Sequence, residues 1–322
     1  MARKRKSKHK KTIVLTAVIA VAIFMATGYS ILSQNLKLEG EANLYASKRY
    51  LWYQIVNNYT SANNGFFHEN QIESGKYSYI GNNNTNYISL DGELWRIVSV
   101  EKDHSIKVAK IDNSLITAFD EANNRTENST YCTNLQFGCN SWAIQTNITN
   151  GEIIGNVEND STILTYLNTT FYNSLSDDLK NNIIPHSFNI GPVSPTSTFL
   201  EAVVEEQEYT WDGYVGLLTL TEMLYPNNNT NITIGESQTN NYLLDVADGR
   251  FIWTATPLKN SSTQVWAINP DKTQSGKDAY LSTETQNDAT YNFLAIPTFY
   301  LKDTVKIASG DGSINAPFTI EK

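Results

Sequence analysis

The chain has 322 residues, 40% of them hydrophobic, which is long and apolar enough to bury a real core, and it carries only two cysteines and four histidines. Seven of its 24 basic residues lie in the first twelve positions, leaving 17 against 33 acidic ones, a net charge of −16 over the rest. A surface of that sign repels phosphate backbones, which argues against nucleic acid as a partner and leaves neutral polar ligands, cations or proteins.

Residues 1–12, "MARKRKSKHKKT", form a basic stub, and residues 13–32 are free of charge and mostly apolar. A helix of about 20 such residues spans the hydrocarbon core of a bilayer, and the basic flank stays in the cytoplasm, so everything after Leu32 is expected outside. The alternative is a cleaved signal peptide, since Ala26-Thr27-Gly28 is a passable small-x-small site with cleavage after Gly28. Either way the remaining chain lies outside the cytosol, on the cell membrane or secreted.

Residues 33–75 read as a stalk holding a helix at 44–58 and a turn-rich loop at 60–75. From Lys76 the pattern changes, and 76–322 reads as one extracellular α+β domain. "YSYIGNNNTNYISLDGELWRIVSVEKDHSIKVAKI" (77–111) holds apolar runs broken at 81–84, Asp91-Gly92 and Asp103-His104, the signature of strands joined by tight turns. "DSTILTYLNTTFYNSLSDDLKNNII" (160–184) is helical, with Ile163, Leu164, Leu167, Phe171 and Leu175 on one stripe and a second short helix starting at 174–177. "YVGLLTLTEMLYP" (214–226) reads as a strand running into a helix stopped by Pro226, and four or five strands follow up to about Ile307.

With the chain outside the cytosol, the oxidising environment favours a disulfide between Cys132 and Cys139 in "YCTNLQFGCNSW". The six residues between them suit neither a zinc knuckle nor a C-x-x-C redox pair. Such a clip pins its loop and fixes the approach of Trp142.

No metalloprotease, nucleophile-elbow, P-loop or dinucleotide-binding motif is present. Carboxylates crowd in "FLEAVVEEQEYTWDG", where Glu201, Glu205, Glu206, Glu208 and Asp212 surround Trp211. Two carboxylates at glycosidase spacing beside a stacking ring would suit a glycan hydrolase, while the plainer reading is a solvated acidic loop. Trp95 and Trp253 sit in strands and are expected in the core. Trp142 and Trp211, flanked by polar residues, are expected to be exposed, and with Glu205, Glu208 and Asp212 they are the ligand-binding candidates. No cofactor is implied. Calcium is the ion that the loops bearing Asp245 and Asp248, and Asp271 and Asp278, would accept through carboxylate oxygens.

Five stretches taken in order, "YIGNNNTNYISLDGELWRIVSV", "TILTYLNTTFYNSLSDDLKNNII", "WDGYVGLLTLTEMLYP", "FIWTATP" and "IPTFYLKDTVKIASGDGSINAPFTI", resemble a family of uncharacterised membrane-anchored extracellular proteins of low-GC Gram-positive and mollicute-like bacteria. The family's domain is similar to C-type-lectin-like and sulfatase-modifying-factor folds, in which a mixed sheet and helices support ligand-binding loops. An arginine usually precedes the proline of the last core strand in such folds, and "LAIPTF" lacks it. The resemblance implies recognition rather than reaction. The expected function is therefore a membrane-anchored surface protein that recognises a glycan or a protein in adhesion or sensing, with a glycan hydrolase and a structural subunit of an envelope layer or filament as the alternatives.

Overall fold

A computed structural model describes residues 48–60, 67–81, 85–110, 112–125, 132–143, 148–149, 152–153, 160–227, 241–244, 250–271, 278–281 and 288–321. The chain divides into Met1–Arg49 and Tyr50–Lys322, and every element named below belongs to the second unit. The span expected at 13–32 lies outside the described residues. Among those that are described, no helix is long and apolar enough to cross a membrane.

The fold is α+β. Its first strands are β1 (Phe67–Glu69), β2 (Tyr77–Tyr79), β3 (Tyr87–Leu90), β4 (Glu93–Val100), β5 (Ile106–Ala109) and β6 (Ile116–Ala118). Six short strands follow: β7 (Ile148–Thr149) paired with β8 (Glu152–Ile153), β9 (Ile183–Ile184), β10 (His186–Asn189) paired with β11 (Thr210–Gly213), and β12 (Val215–Gly216). The last group is β13 (Ile252–Pro257), β14 (Val265–Asp271), β15 (Asp278–Leu281), β16 (Asn292–Leu294), β17 (Thr298–Leu301), β18 (Ile307–Ser309) and β19 (Phe318–Ile320). The helices are α1 (Leu51–Asn58), α2 (Thr162–Tyr166), α3 (Asp177–Lys180), α4 (Phe199–Glu206) and α5 (Leu220–Leu224).

The larger sheet runs β12-β17-β5-β4-β3-β19-β18, with β2 joining β1 to β4 and β9 on β17. Only its β19–β3 pair is parallel. The second sheet runs β15-β14-β13-β16-β6. Strands β5, β13 and β17 are buried along their whole length, so both of their faces are covered. Such strands read as near-continuous apolar runs rather than alternating ones.

Turn chemistry sets the β3–β4 hairpin. Asp91 and Gly92 have φ of 53° and 79°, the two left-handed residues that a type I′ turn needs. The helix expected across 160–184 forms as α2, continues through a π turn at Leu167–Phe171 and a last turn at Tyr172–Ser174, and is followed by α3. Ser161 and Ser176 cap α2 and α3. Ile183 and Ile184, expected at the helical end, instead pair with β17. The helix expected in the stalk is α1, and its Leu51 and Ile55 are fully buried in the main core, so this part packs into the domain instead of standing off it.

The acidic stretch expected as a loop is also different: it forms α4 and then β11. Thr198 and Glu201 close a capping box, while Phe199, Ala202, Val203 and Glu206 fall on one buried stripe. A capping box recurs at Thr219 and Glu222, which start α5.

Glu222 then reaches into the larger sheet. Its Oε1 contacts Lys107 Nζ of β5 and lies 3.8 Å from Lys76 Nζ. Lys76 also meets Glu73 at 3.0 Å and Glu101 at 3.3 Å. Lys107 is 2% exposed and lies 5.0 Å from the Tyr300 ring centre. Burial raises the Glu222 pKa, but the charges of Lys107 and Lys76 more than offset it and hold the carboxyl below its usual range.

Removing one member of a buried pair strands the other. Lys107→Met is therefore expected to lower the unfolding free energy by about 3–5 kcal/mol, with part of the loss recovered in Lys107→Met/Glu222→Leu. Urea denaturation measures both, and equal losses in the single and double variants would contradict the coupling.

Candidate functional site

The two cysteines form a disulfide, with their Cα atoms 5.2 Å apart. Both are buried, packed with Leu135. The loop they close includes a short 3₁₀ turn, Leu135–Phe137. It is also held from inside by Asp120, whose carboxylate accepts from Cys139 N at 2.8 Å, Thr162 N at 3.1 Å and Asn124 Nδ2 at 2.8 Å. Arg125 Nε lies 3.1 Å from the same carboxylate, with both side chains at most 1% exposed. The guanidinium goes on to Ser141, donating to its Oγ at 3.1 Å and to its carbonyl.

Asn140, next to the disulfide, donates through Nδ2 to the carbonyls of Ser261 at 2.8 Å and Gln264 at 2.9 Å. The loop is thereby tied to the β13–β14 turn. Asn260 at that turn has φ 65°, a conformation asparagine tolerates better than most residues.

Between this loop, the turn and the segment after β10 lies a cleft of about 180 Å³. Its apolar wall is made by Trp142, Ile190, Pro192, Pro257 and Leu258. Its polar wall is made by Asn140, Ser141, Asn260 and Ser261, with Tyr209, 47% exposed, at the edge. None of these side chains is charged. A lining of apolar side chains with a few amide and hydroxyl side chains is the usual make-up of a small-molecule site.

Of the sequence-predicted residues, only Trp142 lines this cleft. Trp142 and Trp211 are buried, 1% and 7% exposed, which corrects the expectation of open rings. Polar neighbours in sequence said nothing of the partner rings brought from afar: Trp142 and Trp211 meet edge to face at 5.8 Å, and Phe119 meets Trp142 at 5.9 Å. Gly213 makes room for Trp211, since a Cβ there would lie 1.8 Å from the indole. Of the two rings, Trp142 still lines the cleft. Its Nε1 is a buried donor with no hydrogen-bond partner among the described residues.

Glu205 is occupied. It accepts from Lys259 Nζ at 2.7 Å, Ser197 Oγ at 2.7 Å and Ser194 N at 3.0 Å. Burial raises its pKa, but these donors outweigh that and leave it lowered. Glu208 and Asp212 are exposed, Asp212 opposite Ser187 in the β10–β11 pair. No carboxylate lines the cleft. Asp245 and Asp248 lie outside the described residues, whereas Asp271 and Asp278 face each other in register on β14 and β15.

Sequence reasoning missed a second cavity, lined by other residues. A polar cavity of about 40 Å³ is lined by Glu206, Glu222, Lys76, Thr221, Tyr79 and Tyr242, among others. Glu206 is 1% exposed. Its carboxyl accepts from Thr221 N at 3.1 Å, Thr256 Oγ1 at 2.8 Å and Thr221 Oγ1. The available signal was position: in a helix begun by Thr198, Glu206 falls seven residues after the buried Phe199 and so on the inward stripe.

The disulfide closes a short loop, and breaking it is expected to cost about 2–3 kcal/mol by the chain-entropy relation. Urea unfolding of Cys132→Ser/Cys139→Ser beside the oxidised protein measures that loss, and identical midpoints would show that Asp120 and Arg125 hold the loop unaided. The chain matches no family model, no curated protein and no solved structure, so its function has to be read from the geometry of this cleft.

Proposed function

We propose that the chain is a membrane-anchored bacterial surface protein whose extracellular domain recognises a ligand, foremost a neutral glycan, in adhesion or sensing. The observation that carries the reading is the cleft itself: its lining mixes apolar side chains such as Trp142 and Pro257 with Asn140, Ser141, Asn260 and Ser261, and no charged side chain is among them. In an otherwise acidic domain, an uncharged cleft favours ligands that are themselves uncharged. Tyr209, 47% exposed in the lining, offers a ring face of the kind that sugars stack on.

The anchor rests on the basic stub and the apolar run 13–32. An extracytoplasmic setting accords with the disulfide. The C-type-lectin-like reading of the domain rests on the sequence resemblance, with the loops around the cleft in the ligand-binding role. A protein ligand is the second reading, favoured by Leu200 and Val204 on α4, 48% and 64% exposed in a groove that also holds Glu205.

Residues 33–322, produced as a soluble fragment, are expected to retain a subset of neutral glycans on an array, and Tyr209→Ala is expected to weaken that binding about tenfold or more. The array is run with and without chelator, because the proposed calcium loops predict sensitivity only if the metal shapes the cleft. Failure of the wild type to hold any glycan, or unchanged binding by Tyr209→Ala, would overturn the glycan reading.

A further inference from the structure

We infer that the cleft is built for an acetamido group, so that the glycan it takes carries an N-acetylated amino sugar. The inference rests on the glycan reading and narrows it to one class of sugar.

Its basis is the hydrogen-bonding capacity that the fold leaves unspent in the lining. Asn140 is 5% exposed, and its Nδ2 donates to three carbonyls, those of Leu258 at 3.3 Å, Ser261 at 2.8 Å and Gln264 at 2.9 Å. That fixes the orientation of the amide, because the opposite flip would set its oxygen against three other oxygens. Asn140 Oδ1 accepts from no group among the described residues, and unlike Trp142 Nε1 it is not sealed off from the surface. The nearly buried amide is left with one oriented acceptor.

Two serines beside it are left with the opposite capacity. Ser141 Oγ already accepts from Arg125 Nη1 at 3.1 Å, and Ser261 Oγ accepts from Thr263 N at 3.3 Å and Gln264 N at 3.0 Å. A hydroxyl oxygen engaged in this way turns its proton elsewhere, and neither proton has an acceptor among the described residues. Ser141 follows Asn140 in the chain, and Ser261 is joined to it by the Nδ2 bond, so acceptor and donors belong to neighbouring residues.

The lining therefore offers one acceptor and two donors, set among Trp142, Ala143, Ile190, Pro192, Pro257 and Leu258. An acetamido group is the complement: one N–H for the acceptor, one carbonyl with two lone pairs for the two donors, and a methyl for apolar contact. An unsubstituted sugar ring matches less well. Each hydroxyl it buries brings both a donor and an acceptor to be satisfied, and it has no methyl for the apolar side chains. A carboxylated or ammonium-bearing sugar would enter a lining that holds no counter-charge. Tyr209, 47% exposed in the same lining, is left to stack on the sugar ring.

Saturation-transfer NMR on the full-length protein, in a detergent without a sugar head group, compares N,N′-diacetylchitobiose with cellobiose, the same linkage with and without acetamido groups. The acetylated disaccharide is expected to bind about tenfold or more tighter, with its acetyl methyl taking up more saturation than any ring proton. Ser141→Ala, which removes one donor and leaves Arg125 paired with Asp120, should weaken the acetylated probe about three- to tenfold. Equal affinity for the two disaccharides, a methyl saturated no more than the ring, or an unchanged affinity in Ser141→Ala would overturn the inference and leave the glycan reading in place. Tighter binding of N-acetylalanine methylamide, a peptide-like amide, than of the acetylated disaccharide would overturn the assignment to a sugar. Binding of neither disaccharide also overturns the inference, whereas the glycan reading falls only if the whole array stays blank.

Discussion

Glu222 is the interaction on which the rest of the domain depends. One carboxylate closes the capping box that starts α5 and neutralises Lys107, a buried cation in the middle of the larger sheet. A lysine on a strand covered on both faces has no route to water, so it needs an anion brought to it. The anion it receives comes from α5, which fixes that helix against β5. With α5 in place, Thr221 is in place, and its amide and hydroxyl are donors that meet Glu206 at the end of α4. The order of dependence runs from the charge centre through two short helices to the wall of the cleft.

Much of the architecture was readable from local chemistry. The Asp91-Gly92 hairpin and the capped helices from 160 to 180 follow from turn and cap residues that act within a few positions. The cysteine pair was readable because compartment decides its chemistry. Each of these features is settled by residues near in sequence or by a single external condition.

What was not readable depends on residues far apart in the chain. Trp142 and Trp211 have polar neighbours in sequence, yet they are buried because β11 brings one ring onto the other. By composition alone the acidic stretch 201–212 reads as a solvated loop. Thr198 three residues before Glu201, with Phe199, Ala202 and Val203 at helical spacing, was the contrary signal, and it outweighs composition because a capped amphipathic helix can turn its carboxylates outward. Glu206 is the exception that the helix turns inward. Lys107 was the other clue: a charged residue inside "IKVA", on a strand too apolar to face water, requires a buried partner, although nothing in the sequence says which.

The cleft inherits its neutrality from this arrangement. Carboxylates surround it in sequence, and each is disposed of before it reaches the wall. Glu205 is neutralised by Lys259, Glu206 faces backward into threonines, and Asp212 is exposed on β11 outside the lining. Asp120 and Arg125 neutralise each other, and Arg125 holds Ser141 of the lining. The outcome is a cleft whose lining carries no charged side chain in a domain that is acidic as a whole. Its neighbours are fixed by contacts outside the lining: Arg125, paired with Asp120, donates to Ser141, and Asn140 beside the disulfide donates to the carbonyls of Ser261 and Gln264, so the polar part of the lining is held in part by residues that do not themselves reach the cleft.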